Sequence, residues 1–186
     1  MDGEKDIEDA LLLIRARNGD ADAFTQFVLR WQERLRAHAE RLTGHPTAAD
    51  DVLQETWIAV LKGLGGLSDV EAFRAWIYRI VSRKAADWIR RRQRRRRLGR
   101  RFAAEAAPSF ADEEPSDRIE SLDDAVKRLS PPLRHAVLLH YVEEFTVEEV
   151  ADVLRIPVGT VKSRLHNARK QLRALIEEQS HAETER

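Results

Sequence analysis

Three clusters of side chains in this sequence have the types and spacing for chemistry. The first is acidic. Asp50, Asp51, Gln54 and Glu55 crowd one stretch, and Asp51 and Glu55, four residues apart, would share a helical face and could hold a hard cation between them. No other carboxylate or histidine at ligand spacing accompanies them, and acidic residues near a helix start are what the macrodipole favours. An ordinary acidic helix start is therefore expected, with no metal and no cofactor. The second cluster is basic: Arg74, Tyr78, Arg79, Arg83 and Arg90, together with Ser82 and Ala86, fall opposite an apolar stripe of Phe73, Trp76, Ile77, Ile80, Val81 and Trp88. Cations that follow phosphates, with an aromatic such as Tyr78 on which a base can stack for about 1 to 3 kcal/mol, suit single-stranded DNA. The third cluster is Thr160, Lys162, Ser163, Arg164, His166, Asn167 and Lys170, set around a stripe of Val161, Leu165, Ala168 and Leu172. Its hydroxyl, amide and cationic groups can bond base edges or phosphates, and the free N–H groups of a helix start favour an anion. Each basic face also has a plainer reading as the solvated side of a bundle helix.

The elements that must position these residues are all helical by periodicity. Residues 7–16 carry Ala10, Leu11 and Ile14, and Asn18, Gly19 and Asp20 close them with a turn. From Asp22 to about Leu42 a stripe of Phe24, Phe27, Val28, Trp31, Leu35, His38 and Leu42 predicts a second helix, ended by Gly44 and Pro46, with His38 in its core face. Thr47 can cap a third, in which Val52, Trp57, Val60, Leu61 and Leu64 face inward. After a loop holding Gly65, Gly66, Ser68 and Asp69, a long helix opens at Glu71 or Ala72 and runs into an arginine-rich stretch at 90–101. The following residues, with Pro108 and Pro115 among small and acidic side chains, read as a flexible linker open to proteolysis. Beyond it, Leu122, Ala125, Val126 and Leu129 predict a helix. Ser130 caps the next one, with Pro131 at its first position and Leu133, Ala136, Val137, Leu139 and Tyr141 filling it.

Residues 145–173 spell a helix-turn-helix. Thr146 and Glu149 form a capping box; Val147, Val150, Ala151 and Leu154 give an apolar stripe; Pro157 then ends the first helix and the third cluster begins the second. The fold class is all-α: two small helical domains joined by a flexible linker, the second containing the helix-turn-helix. The expected limits are an acidic tail at 1–9, a first domain at 10–98, a linker at 99–118, a second domain at 119–177 and a tail at 178–186.

Composition narrows the function. The chain has 186 residues, 34% charged, and balances 32 basic against 32 acidic side chains, so a positive field exists only locally, at the arginine stretch. It has no cysteine, no apolar run of membrane-spanning length and an acidic N-terminus unlike a signal peptide, which together predict a cytoplasmic protein. Neither a phosphate loop nor a nucleophile or zinc-protease motif is present, so no enzyme is expected; a nuclease using Asp50, Asp51 and Glu55 is the most distant alternative.

The segment 156–172, IPVGTVKSRLHNARKQL, resembles the promoter-reading helix of bacterial sigma factors of the extracytoplasmic-function class. The segment 47–64, TAADDVLQETWIAVLKGL, resembles the part with which these factors grip RNA polymerase, and 73–97 resembles their helix that opens the start-proximal promoter element. The resemblance implies core RNA polymerase and promoter DNA as partners, with Asp51, Gln54 and Glu55 at the polymerase and Val52, Trp57 and Ile58 either in contact or in the core. It also implies that the linker acids Asp112, Glu113, Glu114 and Asp117 lie near the RNA path, and that an anti-sigma protein silences the factor. Two positions depart from the family, which usually has glycine where Arg155 stands and often asparagine where Lys84 stands. The alternative function is a helix-turn-helix regulator that acts without being a polymerase subunit.

Overall fold

Asp20 begins the element around which the first unit is built. Its carboxylate accepts the Ala23 N–H at 2.9 Å and caps α2 (Ala21–Thr43), which stops at Gly44, whose φ of 74° suits glycine alone without strain. The computed structural model describes residues 2–67, 69, 72–102 and 122–184. Every regular element among them is helical: α1 (Asp2–Arg17), α2, α3 (Pro46–Gly63), α4 (Phe73–Phe102), α5 (Leu122–Arg128), α6 (Pro131–Val137), α7 (Val147–Leu154) and α8 (Val158–Thr184), with a 3-10 turn after α3 and a π turn after α6. The chain divides into two compact units, with the break inside α4 at Ala85. The all-α, two-unit expectation stands.

In the first unit an aromatic cluster joins α2, α3 and α4. The Phe27 ring meets Trp57 edge-on at 6.1 Å and Phe73 at 5.7 Å; Trp31 meets Phe73 at 5.2 Å; and His38 meets Tyr78 at 5.0 Å. Edge-to-face geometry at these separations adds to the area that each ring buries. His38 is a fully buried core histidine. The helix α1 is tied on by Asp9, whose Oδ2 accepts from the Trp31 indole at 3.0 Å while Oδ1 pairs with Arg30 at 3.1 Å.

Several expectations need correction here. The tail at 1–9 is helical from Asp2, and α1 buries Asp9, Leu12 and Leu13 rather than Leu11 and Ile14, because the buried Asp9 pairs rotate that side inward. Pro46 opens α3 at its first position instead of ending α2, and His45, not Thr47, is the cap. Leu61 is exposed, whereas Leu64 is buried. The helix α4 continues through Phe102, so 99–102 belong to it; the rest of the expected linker, with Asp112, Glu113, Glu114 and Asp117, lies outside the described residues.

The second unit packs α5 and α6 against α8; Ala125, Val126, Leu129, Ala136, Val137, Leu139, Val150, Val161, Leu165 and Ala168 are all buried. Leu122 and Tyr141, expected inside, are exposed; the first residue of α5 projects beyond the packing, and the π turn at Leu138–Val142 rotates Tyr141 outward. Arg134 of α6 reaches back to donate to the Lys127 and Leu129 carbonyls, satisfying backbone groups left open at the end of α5. The helix α8 runs to Thr184, through most of the expected tail at 178–186.

Candidate nucleic-acid interface

The helix-turn-helix face is the most completely built. Thr146 Oγ1 accepts the Glu149 N–H at 3.2 Å and Glu149 Oε2 accepts the Thr146 N–H at 2.8 Å, so the expected capping box is closed in both directions and fixes where α7 starts. Arg155 ends α7 in the left-handed region, φ 53° and ψ 51°, a conformation that costs a side-chain-bearing residue about 1 to 2 kcal/mol. The Ile156 N–H bonds the Ala151 carbonyl at 3.0 Å, and Pro157 begins the turn into α8. Val161, Leu165 and Ala168 are buried, which holds α8 with Lys162, Ser163, His166, Asn167 and Lys170 outward and with Thr160 and Arg164 half-buried at the edges. Ser163 donates its hydroxyl to the Thr160 carbonyl at 2.9 Å. With its single proton so used, its oxygen faces outward as an acceptor.

On α4 the structure brings together only part of the second cluster. Arg83 and Arg90 are exposed, Arg74 and Arg79 are half-buried, and Arg90 pairs with Asp87 on its own helix. Tyr78 departs from expectation: it is fully buried, facing Trp31 and His38 of α2, and presents no ring to a base. Ser82 is buried with it. The buried face of α4 runs through Phe73, Ile77, Tyr78, Val81, Ser82 and Ala85, turned from the expected stripe toward residues 78 and 82, while Trp76 and Ile80 are only half-buried. Trp88, expected in the apolar stripe, is only half-buried, with the Arg92 guanidinium 5.3 Å from its centre.

The acidic cluster separates into two roles. Asp50 is bonded by Arg36 at 2.7 Å, and Glu55 by Lys84 of α4 at 3.2 Å, so Lys84 helps to orient Glu55. Asp51 and Gln54 are exposed, and along the same side of α3 come Ile58 and Leu61, 49% and 60% exposed. Val52 is core and Trp57 half-buried. This is a polar strip continued by an apolar one, a composition suited to a protein surface rather than to a cation. Among the described residues no three acidic or histidine side chains gather in a metal-binding arrangement.

Residues 27–95 match Sigma-70 region 2, and residues 119–172 match Sigma-70, region 4. The chain is 31% identical over 178 residues to the RNA polymerase sigma-H factor of Pseudomonas aeruginosa, covering 89% of this chain and 92% of that one. To the ECF RNA polymerase sigma factor SigW of Bacillus subtilis it is 27% identical over 171 residues, covering 86% and 91%. Two solved structures share its fold. One is CnrH in complex with the cytosolic domain of CnrY, with a TM-score of 0.67, 28% identity and coverage of 92% of this chain and 98% of that one. The other is the sigma factor RpoE with the anti-sigma factor NepR from Bartonella quintana, with a TM-score of 0.61, 25% identity and coverage of 83% and 96%.

Proposed function

The chain belongs to the sigma-70 family, in its extracytoplasmic-function class, and from that premise we propose how its parts divide the work. It is a sigma factor that binds core RNA polymerase and directs promoter-specific initiation. Its first domain, residues 10–98, engages polymerase through Asp51, Gln54 and Glu55 and handles the start-proximal promoter element through Arg74, Arg79, Arg83 and Arg90. The second, residues 119–177, reads the upstream element in the major groove with Thr160, Lys162, Ser163, Arg164, His166, Asn167 and Lys170. The factor performs no catalysis of its own and works in the cytoplasm; no helix among the described residues is long and apolar enough to cross a membrane. An anti-sigma protein is its regulatory partner, as RpoE has NepR.

The observation that carries this reading is the pairing, in one chain, of the two matched segments with an exposed polar-then-apolar strip on α3. A regulator acting alone would have no use for that strip. The test is to replace Asp51 and Gln54 by alanine in the full chain and measure binding to core polymerase. Binding should fall at least tenfold while thermal stability stays within about 0.5 kcal/mol, since exposed polar sites contribute little to folding. Wild-type protein that bound promoter duplex but no polymerase would return the chain to the regulator class.

A further inference from the structure

Beyond Trp88 the helix α4 changes character. From Arg90 to Arg97, seven of eight residues are arginine, and none of them is buried. The family match ends at residue 95, so it takes in Arg90, Arg91, Arg92, Arg94 and Arg95, while the helix continues past it with Arg96 and Arg97. We propose that this part of α4 is a sequence-independent clamp for duplex DNA, seated in the major groove with phosphates on both sides of the helix. The inference rests on the reading of α4 as promoter-facing, and adds to it a second ligand surface with a different job.

The argument is geometric. At 3.6 residues per turn, Arg94 and Arg97 lie on one side of the helix, Arg92 and Arg96 nearly opposite, and Arg91 and Arg95 between them. No apolar stripe runs through this stretch, so packing does not hold it helical, and like charges four apart at 90 and 94, 91 and 95, and 92 and 96 work against it. Anions on more than one side remove that repulsion. A helix about 10 to 12 Å across fits the major groove of B-form DNA, about 12 Å wide, whose two walls are rows of phosphates. A single strand would engage one side only, and the major groove of A-form RNA is too narrow to admit the helix. The same side chain repeats on every side, so turning or sliding the helix by one residue presents the same surface. Such a surface positions DNA without specifying its sequence.

The test uses the full chain and a 30-base-pair duplex lacking promoter sequence. Two paired variants, R94Q/R97Q and R92Q/R96Q, each remove charge from one side; glutamine is close to arginine in helix propensity, so the helix is kept. Each pair should lower the slope of log affinity against log salt by roughly two units and weaken binding about fifty-fold at 0.1 M salt. The lysine versions, R94K/R97K and R92K/R96K, keep the charge and should keep the slope, which separates phosphate contact from any loss of fold. On adding duplex, the wild-type far-UV circular dichroism should gain helical signal. If only one pair mattered, or the losses were as large on a 30-nucleotide single strand or on double-stranded RNA, the groove placement would be overturned. Losses that depended on the duplex sequence would overturn the sequence independence. Core-polymerase binding is measured in parallel: its failure in the wild type would sink the sigma reading, whereas unchanged salt slopes in both glutamine variants would sink the clamp alone.

Discussion

Replacing Arg155 by glycine should stabilise the helix-turn-helix. At φ 53° and ψ 51° the Arg155 Cβ crowds its own carbonyl, at a cost of about 1 to 2 kcal/mol that glycine does not bear. Glycine's greater freedom in the unfolded chain takes back about 0.5 to 1 kcal/mol, leaving a net gain of about 0.5 to 1 kcal/mol. Nothing else in the turn should change. The capping contacts are backbone bonds from the Arg155 and Ile156 N–H groups to the Ala151 carbonyl, and the arginine side chain is exposed. The assay is residue-resolved amide hydrogen exchange at buried Val161 and Leu165, which reports on opening of this unit and not of the first. Exchange should slow about two- to five-fold in Arg155→Gly and stay unchanged in Arg155→Ala, which retains the Cβ. Equal protection in the two variants would show that the left-handed backbone carries no strain, and the reasoning would fail. Glu144, at φ 58° in the turn before α7, offers a second site for the same comparison.

Tyr78→Ala should destabilise the first unit by about 3 to 5 kcal/mol in urea titration, as removal of a buried ring does; near-normal stability with impaired promoter opening would mean that the ring is a stacking surface after all. Exchanging Ser163 and Asn167 for each other should change which upstream sequences are accepted, because a well-made base contact discriminates by about 1 to 3 kcal/mol, while opening of pre-melted promoters should survive; selection from a promoter library reads the change. Asp20 titrates below its usual 3.8, first because its carboxylate accepts the Ala23 amide and then because Arg15 bonds it. A lowered folded-state value means that its contribution is complete above the unfolded value and is lost as pH falls through the folded one. Asp20→Asn keeps a capping acceptor but cannot titrate, so the stability gap between wild type and variant should narrow as pH falls past the unfolded value and through the lower folded one, and a gap independent of pH would refute the assignment.

What the sequence made legible was whatever local spacing decides. The Thr146 and Glu149 capping box, the Pro157 stop and the Val161, Leu165, Ala168 stripe each depend on residues within one or two turns, and the structure places them as the spacing implies. The misplaced residues depend on partners far along the chain. In α1 two apolar arrangements compete, Leu11 with Ile14 and Leu12 with Leu13; the second wins because Asp9 bonds Trp31, 22 positions away. Tyr78 is enclosed because α2 brings Trp31 and His38 to its side of α4, which turns the buried face away from the stripe that the apolar period marks and leaves Trp76 and Ile80 half-buried. The pairing of Lys84 with Glu55 spans 29 positions and had no local signal at all. One error of this kind is informative about function. Leu61 follows the apolar period of α3 and was expected in the core, yet it stands exposed beside Ile58, in line with Asp51 and Gln54. An apolar residue that fits a core pattern and is left uncovered by its own chain is what an obligate partner surface requires, since burial on binding then supplies free energy that folding has left unused. On α3 that excess begins where the exposed acidic strip ends, which is the arrangement of an apolar centre with a polar edge.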